Sequence, residues 1–553
     1  MAQTKRSHIS FWTVISLWLF AFFAIFVLYP LILVLYKSVV DPASGSATMA
    51  YFTRFFTKPF YWETMVHSME VTVVSTILAA LLGLPLAYLM RSIKIKGSAL
   101  LNILIVISYL SPPFIGAYAW IQLLGRNGVI TQFFNQLFHT SFNGVYGFSG
   151  IVLVFTLQSF PLIYIFLSGS LKTFDNSLNE AAESLGCSRF TRMRRILVPL
   201  LLPTLLSSSM LVFMRVFADF GTPMLIGEGF KTMPVLVYTS FMGEVGVDGF
   251  AAAICVIMIV LTVVMFFVQR YLANRSTYTM TALKPIVAEK ASGLRNIMAH
   301  GIVYIVTGLA ILPQLVVVYT SFLRSNGGQV FTGGYALQSY EATLFAKDNT
   351  VIWNTYFLGI VAIAIVLVMG VIIAYLSVRK KNLLNSILDT VTMFPFIIPG
   401  SVLGISFLFA FNSPPIVLSG TALIMIISFA IRRMPYTVRS SVAALGQISK
   451  NVEEAAISLG ASDMTTFRRI TLPMMMPGVL AGAIMSWVTI ISELSSSIIL
   501  YTTANQTLTV SIYTEVIRGN YGNASAYATI LALTSILSLL IFFKLTGRRD
   551  ISI

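Results

Sequence analysis

Charged residues are scarce in this sequence: only 10% of its 553 residues are Asp, Glu, Lys or Arg. A soluble protein carries about a quarter of its residues charged, so an ordinary soluble enzyme is excluded. Hydrophobic residues make up 57% of the chain and the mean hydropathy is +0.85. Such a composition also excludes intrinsic disorder, because disordered chains are poor in hydrophobic residues. The composition therefore predicts an all-α, polytopic membrane protein. The lipid bilayer is one of its expected partners.

Residues that bind metals and nucleotides are also few. Two cysteines and four histidines cannot build a disulfide framework, a cysteine-rich metal site or a histidine cluster, so a metal site stays undefined. The phosphate-binding pattern G-x-x-x-x-G-K-[ST] is absent from the sequence, and with it the usual means of binding ATP. The apolar segments offer no nucleophile paired with a base. We therefore expect neither an enzyme nor a cofactor in this chain.

Long apolar runs are abundant instead. A membrane span needs about 20 mainly apolar residues, and this criterion predicts twelve transmembrane helices arranged as two six-helix repeats. The predicted spans cover residues 11–36, 66–90, 99–124, 148–171, 197–222, 250–269, 297–323, 351–378, 384–411, 416–431, 471–495 and 525–543.

The basic residues predict the orientation of these spans. With both termini placed in the cytoplasm, the inside segments hold 27 of the 36 Lys and Arg residues, and the outside segments hold eight. Arg432 and Arg433 are counted among the inside residues, and Arg215 alone lies within a span. Cytoplasmic loops are enriched in Lys and Arg, so the net charge of +16 indicates membrane orientation and not nucleic-acid binding.

One segment occurs twice, 274 residues apart. Glu180-Ala181-Ala182 and Gly186 correspond to Glu454-Ala455-Ala456 and Gly460, and residues 180–203 share 13 of 24 positions with 454–477. An even number of predicted spans separates the copies, so both face the same side as parallel repeats. The repeat predicts two halves, residues 1–290 and 291–553, each a membrane domain.

The repeated segment has the pattern of a helical elbow. Ser177-x-x-Glu180 and Asn451-x-x-Glu454 have the spacing of a capping box at a helix start. Gly186 and Gly460 are expected to end this helix in the left-handed conformation. Ser188 and Ser462 then cap a second helix, and Pro199 and Pro473 are expected to open the next span, because proline is tolerated in a first helical turn.

Both copies resemble the "EAA" loop of permease subunits in binding-protein-dependent ABC importers. The shared pattern is Glu-Ala-Ala, Gly, then Ile-x-x-Pro, matched by Glu180, Gly186, Ile196 and Pro199 and by their counterparts in the second copy. The whole chain is similar to two fused permease domains, as in Fbp-type ferric-iron permeases. The resemblance implies that Glu180, Ala181, Ala182, Gly186, Glu454, Ala455, Ala456 and Gly460 form coupling helices that bind ATPase subunits.

The resemblance also implies the partners and the location of the chain. Two loops imply two copies of a separate cytoplasmic ATPase subunit, which would hold ATP and Mg²⁺. An extracytoplasmic binding protein would deliver the substrate. The expected location is the bacterial inner membrane, and ferric iron is the expected substrate. Thiamine, aminoethylphosphonate and polyamine importers remain alternatives within this class.

Three charged residues stand out in two matching predicted spans, with both acids late in their segments. Asp219 and Glu493 occupy matching repeat positions, again 274 residues apart, and Arg215 precedes Asp219 by four residues. Ionisable groups at membrane depth usually face a cavity or a partner, so all three are candidates for the translocation path, where carboxylates would suit a cation. One alternative is a helix-face ion pair between Arg215 and Asp219. A second is that both acids reach the outer membrane interface, and a third is an ion-coupled secondary transporter in which Asp219 and Glu493 carry protons.

Overall fold

The structure is a computed structural model that describes residues 11–42, 44–172, 174–243, 248–275, 286–325, 333–345 and 350–546. Across these ranges the chain is helical, without a strand and with three isolated β-bridges. The all-α prediction is therefore confirmed. Both termini, which were predicted to be cytoplasmic, and the basic residues Lys5, Arg6, Lys284, Arg548 and Arg549 lie outside the described residues.

The helices follow one order twice, with one additional helix, Val129–Phe138, in the first half. In the first half they are α1 Phe11–Val39, α2 Ala50–Thr57, α3 Pro59–Ser92, α4 Ser98–Leu110, α5 Pro113–Leu124, α6 Val129–Phe138, α7 Gly147–Lys172, α8 Ser177–Ser184, α9 Phe190–Phe217, α10 Gly221–Ile226, α11 Met233–Gly243 and α12 Asp248–Arg275. In the second half they are α13 Gly293–Ser321, α14 Gln338–Leu344, α15 Val351–Arg379, α16 Leu383–Ile397, α17 Gly400–Phe411, α18 Ala422–Gly446, α19 Lys450–Ser458, α20 Asp463–Ile491, α21 Ser497–Leu500, α22 Leu508–Ile517 and α23 Tyr521–Thr546, with a 3₁₀ turn at Thr503–Asn505.

Eleven of the twelve predicted spans correspond to helices that are long and apolar enough to cross a membrane. Over the described ranges nine helices are long and apolar enough, and two bent helix pairs raise the number to eleven. The twelfth prediction, 416–431, corresponds to α18, which begins at Ala422 and ends at Gly446. The predicted boundary was wrong because Arg432 and Arg433 were read as loop residues. Both lie inside this helix.

Two predicted straight spans are sharply bent. The segments predicted at 99–124 and 384–411 turn by 101° between α4 and α5 and by 111° between α16 and α17. Each bend lies at a proline, Pro112 or Pro399, and the residue before it is extended. Proline disfavours the helical conformation of the preceding residue, so each chain turns back instead of continuing along one axis.

The first helix of each half crosses to the other half. α1 packs on α16 and α17, and α13 packs on α4 and α5. At one end of α1 the Trp12 ring lies 4.7 Å from that of Tyr375 and 5.4 Å from that of Phe467, centroid to centroid. At its other end the Lys37 ammonium lies 4.3 Å from the centre of the Phe409 ring. The two halves are thus joined by exchanged helices.

Burial separates the central helices from the outer ones. Within its most apolar 18-residue window, α7 has 83% of its residues buried, whereas the window of α1 has 28%. α7 packs most extensively on α3, and its counterpart α18 packs most on α15 and α20. Exposed apolar side chains on the outer helices, such as Trp18 and Leu81, suit a hydrocarbon surrounding, where helices satisfy their own backbone hydrogen bonds.

Candidate functional site

The two repeated segments form helical elbows, which we call elbow 1 (residues 176–192) and elbow 2 (residues 449–466). Each begins with a short helix, but the predicted capping boxes are wrong. α8 begins after Asn176, whose side chain donates to Glu180 Oε1 at 3.1 Å. α19 begins after Ser449, whose hydroxyl accepts the Asn451 N–H at 3.3 Å. Both helices start earlier than predicted. In elbow 2 the reason is that the Ser449 hydroxyl already caps the helix, whereas in elbow 1 Asn176 holds the Glu180 side chain without capping a backbone N–H.

The glycine ends of these helices are confirmed. Gly186 has φ +78° and Gly460 has φ +90°. In elbow 1 the Gly186 N–H donates to Glu183 O at 2.9 Å, and the Cys187 N–H donates to Ala182 O at 3.0 Å. Elbow 2 repeats this arrangement through the N–H groups of Gly460 and Ala461. This pair of bonds is a Schellman motif, whose left-handed residue favours glycine.

The second helix of each elbow continues into the membrane without a break. Ser188 accepts the Thr191 N–H and Ser462 accepts the Thr465 N–H, each at 3.2 Å, so these predicted caps are confirmed. Pro199 and Pro473 lie in the first turn of the α-helical stretches Val198–Phe217 and Leu472–Ile491, as predicted, but each stretch continues the second helix of its elbow. Wider π turns at Met193–Leu197 and Phe467–Thr471 precede the two prolines, which suits residues that cannot donate a backbone hydrogen bond.

Each elbow presents an apolar tip to the surroundings. Leu185 is 84% exposed and Leu459 is 90% exposed, and each directly precedes the left-handed glycine. Ala182 and Ala456 are 8% exposed, whereas Ala181, Ala455 and Glu454 are on the exposed surface. The motif residues therefore divide into a packed side, which fixes the elbow, and an open side that offers apolar area to a partner.

The two elbows are fixed to the protein differently. In elbow 1, Arg192 pairs with Glu183 at 2.5 Å, within the elbow itself. In elbow 2, Glu453 pairs with Arg379 of α15 at 3.0 Å and accepts the Thr471 hydroxyl at 3.1 Å. Sequence reasoning missed Glu453, because its repeat counterpart is Asn179 and it therefore lies outside the matched positions.

The candidate carboxylates lie where the two matching long helices end. α9 ends at Phe217 and α20 ends at Ile491, so the predicted spans 197–222 and 471–495 ran past the breaks. Asp219 Oδ1 accepts the Thr222 N–H at 2.9 Å, and Glu493 Oε1 accepts the Ser496 N–H at 3.2 Å. Each carboxylate thus receives a backbone N–H at the start of the short helix that follows, α10 or α21, which continues the symmetry of the repeat.

The partners of the two carboxylates are not symmetric. Glu493 is 2% exposed, and both of its carboxylate oxygens are bound by guanidinium groups, Oε1 by Arg432 and Oε2 by Arg433. In the first half these two positions hold Gln158 and Ser159, and Gln158 donates instead to Pro113 O at 3.0 Å. Arg432 and Arg433 were assigned to a loop from sequence, and their side chains lie in the interior beside Glu493.

Arg215 does not form the ion pair offered as an alternative. Its guanidinium lies over the Tyr109 ring, 4.8 Å from the centroid, and no salt bridge joins it to Asp219 in the described structure. Asp219 still interacts electrostatically with both Arg215 and Glu493. The three charged residues singled out from sequence therefore lie in one cluster where the two halves meet. In the described ranges no group of three or more His, Cys, Asp or Glu side chains could hold a metal ion.

Comparison with known proteins decides the family of this fold. Residues 79–278 and 366–549 both match the family described as "binding-protein-dependent transport system inner membrane component". The chain belongs to this family of permeases. Its members are multi-pass inner-membrane transport proteins and not enzymes, and they act with ATPase subunits and substrate-binding proteins.

Two ferric transport permeases match most of the chain, and a molybdenum transport permease matches part of it. The ferric transport system permease protein FbpB of Actinobacillus pleuropneumoniae is 28% identical over 543 residues, which is 96% of this chain and 78% of the relative. A putative ferric transport permease, FbpB 1 of Haemophilus influenzae, is 28% identical over 86% of this chain and 76% of its own length. The molybdenum transport system permease ModB of Escherichia coli is 28% identical over 220 residues, 39% of this chain and 94% of ModB.

Proposed function

We propose that this permease is the membrane subunit of an ATP-driven importer that moves ferric iron into the cytoplasm by alternating access. Two copies of a cytoplasmic ATPase would bind at the elbows, and their closure on ATP and Mg²⁺ would move the two halves against each other. The pair of matched elbows is the observation that carries the proposal. A proton-coupled carrier has no use for two protruding elbows with exposed leucine tips, and they are the reason to prefer ATP as the energy source.

The elbows also support an orientation. Both lie in segments rich in Lys and Arg, and the positive-inside rule places such segments in the cytoplasm. Moving Arg432 and Arg433 into the membrane interior lowers the inside total from 27 to 25, against eight outside, and leaves the rule satisfied. We therefore infer that both termini and both elbows are cytoplasmic, and that a binding protein approaches from the opposite side.

The choice of iron rests on the relatives. The two ferric transport permeases match over nearly the whole chain, whereas the molybdenum permease matches one half. A putative 2-aminoethylphosphonate permease of Salmonella paratyphi A also matches 43% of the chain. Ferric iron is therefore the first substrate to test, and an oxyanion or phosphonate substrate is the second.

Reconstitution tests this proposal directly. The permease and its ATPase are reconstituted in liposomes with the ATPase facing the lumen, and the binding protein is added outside. Uptake of radioactive iron is then measured with ATP in the lumen, without ATP, and with an imposed proton gradient. We expect uptake only when ATP and the loaded binding protein are both present. Uptake that follows the proton gradient in liposomes lacking the ATPase would show that the permease is a secondary transporter.

A further inference from the structure

The cluster at the meeting point of the two halves carries more positive than negative charge. Arg215, Arg432 and Arg433 provide three guanidinium groups, while Asp219 and Glu493 provide two carboxylates. All five groups are connected electrostatically: Asp219 interacts with Arg215 and Glu493, and Arg432 interacts with both carboxylates. A bare metal cation that entered this cluster would therefore meet a net positive charge.

The carboxylates are also occupied. Each oxygen of Glu493 is bound by a guanidinium group, and Oε1 additionally accepts the backbone N–H of Ser496. Asp219 accepts the Thr222 N–H and lies within electrostatic reach of two arginines. Carboxylate oxygens that already accept charged donors are poor ligands for a further cation, because binding would require those donors to be given up.

Unused donors, in contrast, are present. Arg215 has no carboxylate within salt-bridge distance in the part of the chain that the structure describes, although it interacts electrostatically with Asp219. Its guanidinium lies against the Tyr109 side chain, 4.8 Å from the ring centroid, which leaves further N–H donors for a ligand. Arg433 uses Nη2 for Glu493, while its Nε is buried without a hydrogen-bond partner. Both guanidinium groups interact with the Tyr109 side chain, so they approach one place from opposite halves.

Guanidinium groups suit oxygen-rich anions. The planar fork of N–H donors matches the oxygens of carboxylates and phosphates, and hydrogen bonds to charged groups are among the strongest in proteins. A charge kept at membrane depth usually faces a partner or a pathway. An aromatic face offsets only part of the charge of Arg215, which leaves it available to a passing anion.

We propose that the cargo crosses this permease as an oxygen-rich anion, and that Arg215 and the free edge of Arg433, one from each half, form its site beside Tyr109. The cargo would be either an oxyanion or a ferric ion enclosed by anionic oxygen ligands. This inference rests on the proposed importer function, because it assigns the charged form of the cargo in that same importer.

Charge variants of Arg215 test the sign of the cargo. In the reconstituted importer, Arg215→Gln should lower uptake roughly tenfold or more and Arg215→Glu should abolish it. Arg215→Lys keeps the positive charge but not the planar fork, so it should lower uptake less than Arg215→Gln does. Arg439→Gln is the matched control, since Arg439 lies on α18, is exposed and pairs with Asp389 at 3.1 Å. Unchanged or faster uptake by Arg215→Gln and Arg215→Glu would overturn the proposal.

A measurement on the wild-type protein tests the proposal even if the variants fail to assemble. Loaded proteoliposomes on a solid support report the sign of the charge that crosses with each cargo, for ferric citrate and for molybdate separately. Negative charge entering with either cargo supports the proposal and identifies which anion is carried. Positive charge, or no charge, overturns the anion inference alone. Absence of ATP-dependent uptake of both cargoes overturns the importer function on which it depends.

Discussion

Glu493 is the most constrained ionisable side chain in the described structure. Two arginines and a backbone N–H surround its carboxylate, and its side chain is 1% exposed. Removing one partner from a buried ion pair leaves an uncompensated charge, which destabilises a protein by about 3–5 kcal/mol. Asp219, its repeat counterpart, is less buried and binds no arginine within salt-bridge distance.

The two carboxylates should therefore respond unequally to neutralisation. We expect Glu493→Gln to lower the free energy of unfolding by about 3–5 kcal/mol, because Arg432 and Arg433 lose their shared countercharge. Asp219→Asn, the matched control, should cost about 1 kcal/mol, the contribution of one hydrogen bond. Thermal unfolding of the purified permease in detergent measures both, and equal losses in the two variants would contradict the assignment.

Sequence could locate these carboxylates but not their partners. The repeat offset of 274 residues pairs Asp219 with Glu493, because both halves place an acid after the same helix break. Arg432 and Arg433 have no charged counterpart in the first half, so the repeat gives no signal for them. Two adjacent arginines after a short apolar run also resemble a loop, and only packing against α20 and α21 places them inside.

At the scale of elements, each elbow is a rigid turn with one apolar side chain at its tip. The Schellman bonds and the left-handed glycines fix the backbone, and Ala182 and Ala456 pack inward. Leu185 and Leu459 take no part in this packing, being 84% and 90% exposed. Exposed apolar side chains that are grouped on a surface are typical of a binding site. Elbow 1 also exposes Phe190 and elbow 2 also exposes Ile457, so the leucines should matter to a partner and not to the fold.

Charging the elbow tips should separate the permease from its ATPase. We expect the double variant Leu185→Asp and Leu459→Asp to lose most co-purification with the ATPase, because a buried unpaired carboxylate would oppose docking. The unfolding temperature should stay close to that of wild type. Leu383→Asp is the matched control, since Leu383 is 79% exposed at the start of α16 and outside both elbows. Normal ATPase binding by the double variant would argue against docking at the tips.

Sequence predicted the elbows better than the spans around them. Glycine, serine and proline positions carry local backbone information, so Gly186, Gly460, Ser188 and Ser462 were placed correctly. The bends at Pro112 and Pro399 were missed. A run of apolar residues predicts which segment is shielded from water, but it does not predict whether the helix axis stays straight. The sequence could not predict that α1 and α13 each pack on the opposite half. Apolar side chains are favoured both against lipid and against a neighbouring helix, so the two surroundings give the same sequence pattern.

At the scale of the whole molecule, the two halves hold each other through exchanged helices. α1 packs on α16 and α17, and α13 packs on α4 and α5. On the second contact the Tyr304 hydroxyl donates to Lys96 O at 3.0 Å, and the hydroxyls of Tyr118 and Thr320 both meet that of Ser525 at 2.8 Å. Much of the interface is therefore built by the first helix of each half, and α1 is far in sequence from the boundary at residue 290.

Cutting the chain between the predicted domains tests this interface. We expect residues 1–290 and 291–553, expressed together as separate chains, to co-purify as one complex. A cut after residue 290 preserves the backbone pairing of Glu289 with Ser92 and Lys94, at 2.9 Å each, within the first fragment. Fragment 41–290, which lacks α1, is the comparison and should co-purify much less. Equal recovery with both first fragments would show that α1 contributes little to the interface.

The crossing of α1 also has a consequence for how the protein is made. Leu383 leaves the ribosome roughly 340 residues after Val39, which takes roughly 20–70 s at ~5–20 residues per second. During this interval α1 is in the bilayer before its partners α16 and α17 exist. Its buried side consists mainly of apolar residues such as Leu19, Phe23, Val27 and Val34. The buried Ser16 and Ser38 hydroxyls donate to carbonyls of the same helix, so lipid chains can solvate this side before its partners are made. Assembly of the first half is thus completed only when the second half is being inserted.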